Sequence, residues 1–531
     1  MKQYLRLFGM IVFFISGCAT SEVSEKEPND TLAAATPVEP GQRVTGALAS
    51  ARDRDAILFR AGERQLVSFE LSHEHGHDLA VDVYVAGRHI KTIDSWAAST
   101  SREGRKPAAK PGGPAIENAA LIDTRGQDCI LVVHAVGKTG AWPAAWVLTT
   151  SFRVRDGLSE HEPNDDIASA MFLVEGRPVE GRYSPLYHAR MPGGLERDVY
   201  AWVNDSTNRV LLEIEVSGVP DVNPVIDILD DIGRVRKTID ARGMHLGEQS
   251  GPLGMVAAAT CYFAVRNDVP GLGNFRVPYT VFVKSRPAGS AEEFEPNDSI
   301  QTATRLVPGE EFRAAIHPAG DTDWYFLPAP QAGRYTLSVR VSPSEGLDPV
   351  LDIMDHEGRP LVTRNDAGPG KAEHVPNYGF AAPGKRGLVI RVRSKEAGSA
   401  GQYILAASLY PAGPFAEFEP NDTPAAANRV QAGVEIRGFL FPAGDRDWLE
   451  MEFPARGAAA IRLAAPAGVR ASLVCTDSEN RVLGRVEAGS GDVRLNVGIP
   501  SRGRYRIGLA AEGAGNPRDP WILDAVFSSG D

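Results

Sequence analysis

Apolar residues along this chain come in short runs that alternate with polar residues or stand unbroken between Gly, Pro, Asn and Asp, and no long stretch keeps a 3.6-residue period. Alternation with period two, punctuated by turn residues, predicts strands rather than helices. Residues 323–327, 335–341, 349–354, 387–392 and 403–407 read as strands, and matching runs recur at 225–229 and 521–526. Asp355-His-Glu-Gly358 and Asp230-Asp-Ile-Gly233 follow equivalent strands and put a glycine where a hairpin turn needs positive φ. Only the segment after each Glu-Pro-Asn-Asp, such as Thr31–Ala35, reads as a helical turn.

An acidic motif marks the period of this strand pattern. It reads Glu25-Lys26-Glu27-Pro28-Asn29-Asp30, Glu160-His161-Glu162-Pro163-Asn164-Asp165, Glu293-Phe294-Glu295-Pro296-Asn297-Asp298 and Glu417-Phe418-Glu419-Pro420-Asn421-Asp422. Successive final Asp residues lie 135, 133 and 124 positions apart, the length of a small domain. A second acidic pair follows each copy: Asp53 and Asp55, Glu196 and Asp198, Asp321 and Asp323, Asp445 and Asp447. Its first acid comes 23, 31, 23 and 23 residues after the motif's Asp. Many short strands within periods of about 115–130 residues predict antiparallel sandwiches. The expected fold class is all-β, four tandem jelly-roll-like antiparallel β-sandwich domains at 25–155, 158–286, 291–411 and 415–529. The junctions are short, so neighbouring domains are expected to touch. Repeat one carries a polar insertion, Ser99–Pro114, that reads as a mobile loop, and repeat two an insertion around Ser184–Met191.

Hydrophobic content of 43% and charged content of 23% fit globular domains, and a net charge of −12 offers no footprint for nucleic acid. Of four cysteines, Cys129, Cys261 and Cys475 fall one to a repeat, which argues against a disulfide framework and for small buried hydrophobes. Lys2 and Arg6 precede an apolar run from Leu7 to Ile15 and then Ser16-Gly17-Cys18. Residues 1–17 therefore read as a secretory signal, too short to span a bilayer. The ending Ile-Ser-Gly-Cys resembles a bacterial lipobox. That resemblance implies a lipidated Cys18, a tether over 18–24, anchorage to a membrane, and, with Ala19 next, the outer membrane rather than the inner. The expected location is the cell envelope, facing the periplasm or the exterior.

The plainest reading of Glu-Pro-Asn-Asp is a turn leading into a capped helix. It uses one cap residue and leaves the upstream Glu and the distal pair unexplained. Five carboxylates brought together repel unless a cation neutralises them, and oxygen donors without Cys or His suit Ca²⁺. Each repeat also resembles the bacterial pre-peptidase C-terminal (PPC) domain, whose members include the collagen-binding domains of clostridial collagenases. The resemblance rests on Glu-Pro-Asn-Asp, on Gly320-Asp321-Thr322-Asp323-Trp324-Tyr325 with Gly401-Gln402-Tyr403-Ile404-Leu405, and on Gly444-Asp445-Arg446-Asp447-Trp448. It implies a jelly-roll-like sandwich and Ca²⁺ held between the acidic segment and the Asp pair. The implied ligands are Glu293, Glu295, Asn297, Asp298, Asp321 and Asp323 in repeat three, and Glu417, Glu419, Asn421, Asp422, Asp445 and Asp447 in repeat four. Repeat one matches at Glu25, Glu27, Asn29, Asp30, Asp53 and Asp55, although Arg52 replaces the preceding Gly. Repeat two offers Glu160, Glu162, Asn164, Asp165, Glu196 and Asp198, but its Glu196 and its insertion depart from the pattern, and its site is expected to be weakened or lost.

His73, His75 and His77 alternate in repeat one and would share a face on a strand, as a zinc or nickel site could use them, but matching segments elsewhere are plain loops and a solvated loop is the expectation. Trp146, Tyr279, Tyr403 and Trp521 occupy one equivalent position and are expected to pack rather than to stack on carbohydrate, whereas Trp96 and Trp142 remain candidates for exposed contacts. No nucleophile elbow, His-Glu-x-x-His or phosphate loop is present. The expected function is a non-catalytic, calcium-stabilised envelope lipoprotein that acts as a binding or spacer module for polysaccharide, peptide or protein. The alternatives are a metal-dependent hydrolase or protease accessory using the His cluster, and a structural envelope assembly factor.

Overall fold

The computed structural model describes residues 21–60, 64–73, 77–93, 115–136, 141–183, 197–269, 274–382, 386–413, 415–513 and 515–530. The signal segment and Cys18, both insertions, Glu196, His75 and Trp96 lie outside them. The described residues form β-strands joined by turns, with short 3₁₀ turns at Leu32–Ala34 and Pro424–Ala426 and no α-helix. No helix among them is long and apolar enough to cross a membrane. The chain divides into two compact units: residues up to Asp205 with Glu213–Ser250 and Ala258–Ser285, and Ser206–Leu212 with Gly251–Ala257 and Arg286–Asp531.

Each repeat builds two sheets, and the strand order is the same in all four. In repeat one, the first sheet runs Glu22–Ser24, Arg43–Leu48, Ala144–Val154, Gln65–His73, Ala115–Asp123; the second runs Thr36–Val38, Arg54–Phe59, Cys129–Ala135, Leu79–Val85, Arg88–Ile93. In repeat two they run Val179–Tyr183, Asn274–Pro287, Val210–Val216, Glu248–Gln249, with Leu253–Met255 also on Val210–Val216, and Met171–Phe172, Arg197–Val203, Thr260–Asn267, Pro224–Leu229, Val235–Ile239. Repeat three gives Glu311–Ile316, Gly401–Pro411, Gly333–Pro343, Glu373–Ala382, and Thr304–Arg305, Thr322–Leu327, Leu388–Ser394, Pro349–Met354, Pro360–Arg364. Repeat four gives Ile436–Gly438, Trp521–Ser529, Gly457–Ala464, Asp492–Ile499, and Asn428–Arg429, Arg446–Phe453, Gly503–Glu512, Arg470–Thr476, Val482–Ser490. Pairing is antiparallel except for short parallel edges such as Thr36–Val38 on Arg54–Phe59.

The period-two pattern explains the packing. Along Gly333–Pro343, Tyr335, Leu337, Val339 and Val341 are buried while their neighbours are less so. In repeat three Leu337, Val339 and Val341 share one core with Tyr325, Leu351, Ile353, Ile390 and Val392 of the other sheet, while Tyr335 packs with Ala329 and Ala382. Repeats one and four have matching cores, around Phe59, Leu131 and Trp146 and around Phe453, Ile507 and Trp521. The central strands Pro224–Leu229 and Pro349–Met354 are buried on both faces. Each carries a buried aspartate on its outer face, and that charge is paired: Asp227 with Arg266 at 2.6 Å, and Asp352 with Arg391 at 2.8 Å.

Candidate metal centres

In all four motifs the Glu–Pro peptide is cis. The first Glu accepts a backbone N–H from the neighbouring strand: Ala47 to Glu25 at 2.6 Å, Arg182 to Glu160 at 2.6 Å, Ala315 to Glu293 at 2.9 Å and Phe439 to Glu417 at 2.8 Å. The residue before each donor is Gly46, Gly181, Ala314 or Gly438, paired across the sheet with Trp146, Tyr279, Tyr403 or Trp521. Room there is tight. A Cβ on Gly438 would lie 2.3 Å from the Trp521 ring and 2.5 Å from Glu417.

The motif's Asn is fully buried in every copy. Its N–H donates to the second Glu, at 3.0 Å for Glu27, 3.2 Å for Glu162 and 2.6 Å for Glu295 and Glu419. Its carbonyl accepts the N–H of the residue after the distal Asp, Ala56, Val199, Trp324 or Trp448, fixing motif to pair. In repeats one, three and four, Asn Nδ2 donates to the first Glu at 3.2 Å. Oδ1 of Asn29, Asn297 and Asn421 is then buried with no hydrogen-bond partner.

The second acid of the distal pair faces the same spot. Asp55, Asp198, Asp323 and Asp447 are buried, and Oδ2 of each accepts from the paired aromatic: Trp146 at 2.6 Å, Tyr279 at 2.5 Å, Tyr403 at 2.5 Å and Trp521 at 2.7 Å. Oδ1 of Asp55, Asp323 and Asp447 is buried without a partner. One carboxylate oxygen from each of Glu25, Glu27 and Asp55, of Glu293, Glu295 and Asp323, and of Glu417, Glu419 and Asp447 lies within 4.8 Å of the others. In repeat three Glu295, Asp298 and Asp321 form a second such group. The first distal acid closes its own turn, with Asp53, Asp321 and Asp445 accepting from Ala49, His317 and Phe441.

Burial and repulsion between neighbouring acids raise Asp55, Glu419 and Asp445 above the ordinary carboxylate range. Burial, then Glu25, pushes Asp55 to about 8; burial, then Glu417, pushes Glu419 to about 9; burial brings Asp445 to about 7. Among the described residues no basic side chain comes within 4 Å of the carboxylates of Glu25, Glu27, Asp30, Asp53 and Asp55, or of Glu417, Glu419, Asp422, Asp445 and Asp447. Converging hard oxygens, two of them buried and unpartnered, in a negative and uncompensated pocket make up a donor set for a divalent cation.

The second Glu also joins repeats. Its backbone bridges to the preceding repeat, Glu162 to Ile122, Glu295 to Leu253 and Glu419 to Tyr378. Gly254 and Gly379 donate to the carbonyls of Glu295 and Glu419 at 2.7 Å. Beside the bridge, Phe294 sits over Gly254 under Arg209, and Phe418 over Gly379 under Arg334, with guanidinium-to-ring distances of 3.9 and 4.2 Å. Asn377, from repeat three, reaches into repeat four and hydrogen-bonds Glu417.

Repeat two differs. With its amide oriented to satisfy its neighbours, Asn164 donates to Asp198 Oδ1 at 3.3 Å and Glu162 Oε2 at 3.1 Å. The Tyr200 hydroxyl donates to Glu160 at 3.2 Å, while the Tyr279 hydroxyl donates to Asp198. Lys91, from the Arg88–Ile93 strand of repeat one, enters the pocket with Nζ 3.0 Å from Glu162 Oε1 and 3.6 Å from Asp165 Oδ1.

The capped-turn reading of the motif does not hold at Thr31 and Thr423, which make no side-chain cap bond. In repeat two the segment after the motif is a turn, closed by Ser169 N–H donating to Asp166 at 2.9 Å. The solvated His loop is also corrected. His73 and His77 are buried, and His77 packs 5.1 Å from the Trp142 ring, which itself lies against the core and is no exposed contact. The three described cysteines are free and buried. The four equivalent aromatics pack as expected, but their hydrogen bonds to the distal Asp were not expected. The signal was there, since Trp and Tyr are the aromatics that carry a donor.

No family model and no curated protein matches the sequence. Solved structures that resemble it include the pre-peptidase C-terminal domain of a collagenase from Bacillus anthracis, at 16% identity over 21% of this chain and 100% of that one, with a TM-score of 0.17. A biofilm-associated protein BSP domain aligns at 8% identity over 93% and 97%, TM-score 0.14. The secreted serine protease VesC from Vibrio cholerae aligns at 12% identity over 64% and 74%, TM-score 0.16.

Proposed function

We propose that the chain is a non-catalytic, calcium-stabilised lipoprotein of the cell envelope, made of four tandem jelly-roll-like β-sandwiches of PPC type. In this reading each core-sharing pair of sheets is one sandwich. The observation that carries the proposal is the repeated pocket in which two Glu, one Asp and one Asn converge with two buried oxygens left unpartnered. Calcium is assigned to repeats one and four, where no described basic side chain offsets the carboxylates, and repeat three offers a third pocket with the same orphan atoms. The two Glu, the Asp and the Asn of each pocket would hold such an ion, and its charge would offset the repulsion among the acids.

The spacer part of the reading rests on the joints. In repeats three and four the metal-side Glu is also the residue whose backbone docks on the preceding repeat, so ion binding and the joint reinforce one another there. For ligand binding, the second unit offers a cleft of about 460 Å³ that combines polar Arg313, Ser344 and Gln402 with apolar Leu211, Pro252 and Ile404. Elemental analysis and calorimetry of the full chain test the calcium assignment. Bound calcium and a melting temperature that falls on chelation are expected, and equal melting with calcium and with chelator overturns it. Glycan and protein arrays, read with and without Arg313→Ala, test the cleft.

A further inference from the structure

We propose that the ammonium of Lys91 is the resident cation of repeat two, so that this repeat takes no metal ion and is instead fastened to repeat one by a buried ion pair. Lys91 is 7% exposed and sits on the outer strand of the repeat-one hairpin, opposite Val83. Its neighbours Arg88 and His89 are exposed, so a lysine turned inward here needs a partner to offset its desolvation. That partner is Glu162, the motif's second Glu, 3.0 Å away, with Asp165 behind it at 3.6 Å.

The rest of the pocket is arranged around a positive charge already in place. In repeats one and four the Asn amide nitrogen faces the first Glu and its oxygen is left over, as a metal ligand would be. In repeat two the amide nitrogen faces Asp198 and Glu162, and a hydrogen-bond donor in that position opposes a cation. The hydroxyls of Tyr200 and Tyr279 supply further donors, to Glu160 and Asp198 respectively. The hairpin position of Lys91 is occupied in the same register by Val362 in repeat three, the repeat that precedes repeat four. The neighbour of repeat four thus brings no ammonium, only the neutral amide of Asn377.

The metal half of this inference rests on the calcium assignment, and the ion-pair half does not. The full chain is therefore measured in two ways. First, Glu162→Gln is expected to leave the calcium stoichiometry unchanged, whereas Glu419→Gln lowers it by one; loss of one equivalent in Glu162→Gln overturns the proposal. Second, with chelator present throughout, Lys91→Met is expected to lower the melting temperature of the transition containing repeats one and two, on the order of 10 °C, by stranding buried carboxylates. Glu162→Gln added to Lys91→Met is expected to restore about half of that loss, the signature of a coupled pair. Additive effects of the two substitutions overturn the proposal even if the protein binds no calcium at all. If Lys91→Met does not fold, Lys91→Arg serves in its place and is expected to melt within about 3 °C of the parent, because it keeps the charge.

Discussion

Repeats two and four have the same fold and nearly the same acidic motif, yet they balance their charge in opposite ways. In repeat four five carboxylates meet one aromatic donor, Trp521, and a neutral amide from next door. In repeat two the equivalent pocket is filled with donors: two tyrosine hydroxyls, a turned asparagine amide and a lysine ammonium. Reading the motif alone would treat them as the same site. Besides Glu196 for Asp445 and Tyr279 for Trp521, they differ in the residue after next to the distal Asp, Tyr200 against Leu449, and in one hairpin side chain of the preceding repeat. A metal motif in a tandem array thus reports its own ligands but not whether its neighbour has already supplied the cation.

The largest expected effect that would sharpen this contrast comes from Trp521→Ala. It empties a fully buried site in the repeat-four core and removes the donor to Asp447, so a loss of about 3–5 kcal/mol in chemical denaturation is expected. Next, Asp447→Asn and Asp198→Asn should behave differently. Without metal, Asp447→Asn removes a repelling charge and should stabilise; with calcium it removes a ligand and should destabilise, each by about 1–3 kcal/mol. Asp198→Asn should shift melting by the same amount with and without calcium. If both variants respond alike, the contrast between the repeats is broken.

A pH series extends the comparison. Asp445, Asp55 and Glu419 have folded values of about 7, 8 and 9, above their unfolded ones. A carboxyl raised on folding contributes stability that is present at low pH and is lost as pH rises through the folded value. The chelated protein should therefore melt progressively lower between about pH 6 and pH 9. Saturating calcium should remove the decline, because the ion binds the deprotonated form. A chelated melting temperature that rises over this range would contradict the assignment. The smallest effect is the most pointed: Val362→Lys should place an ammonium beside repeat four, change overall stability by only about 1 kcal/mol, and lower calcium stoichiometry by one.

Much of this was legible in the chain. The strands at 335–341 and 349–354 came from alternation and turn residues, and the four copies of Glu-x-Glu-Pro-Asn-Asp pointed to their own pockets. The structure brings Glu25, Glu27 and Asp55, and their equivalents in repeats three and four, to one point. It also extends the predicted strand 403–407 to Gly401–Pro411, because pairing with Gly333–Pro343 continues the ladder past the apolar run. Lys91 was not legible, because its role depends on a contact 71 residues away across a joint between repeats. Gly438 was not legible either, since only the Trp521 ring above it shows why no side chain fits. Local pattern fixes elements and ligand types; charge balance is settled between repeats, where no short motif reaches.

Glu419 holds two things at once. Its carboxylate belongs to the acidic pocket, while its main chain is stitched to Tyr378 and Gly379 of the preceding repeat. A mechanical load drawing repeat four away from repeat three would therefore reach the pocket through Glu419, and through Glu417 by its bond to Asn377, so the joint could not open without disturbing the acidic cluster. Under the proposed calcium assignment, pulling the chain and releasing the ion would be one event, and the force needed to part these two modules should then track the concentration of free calcium around them.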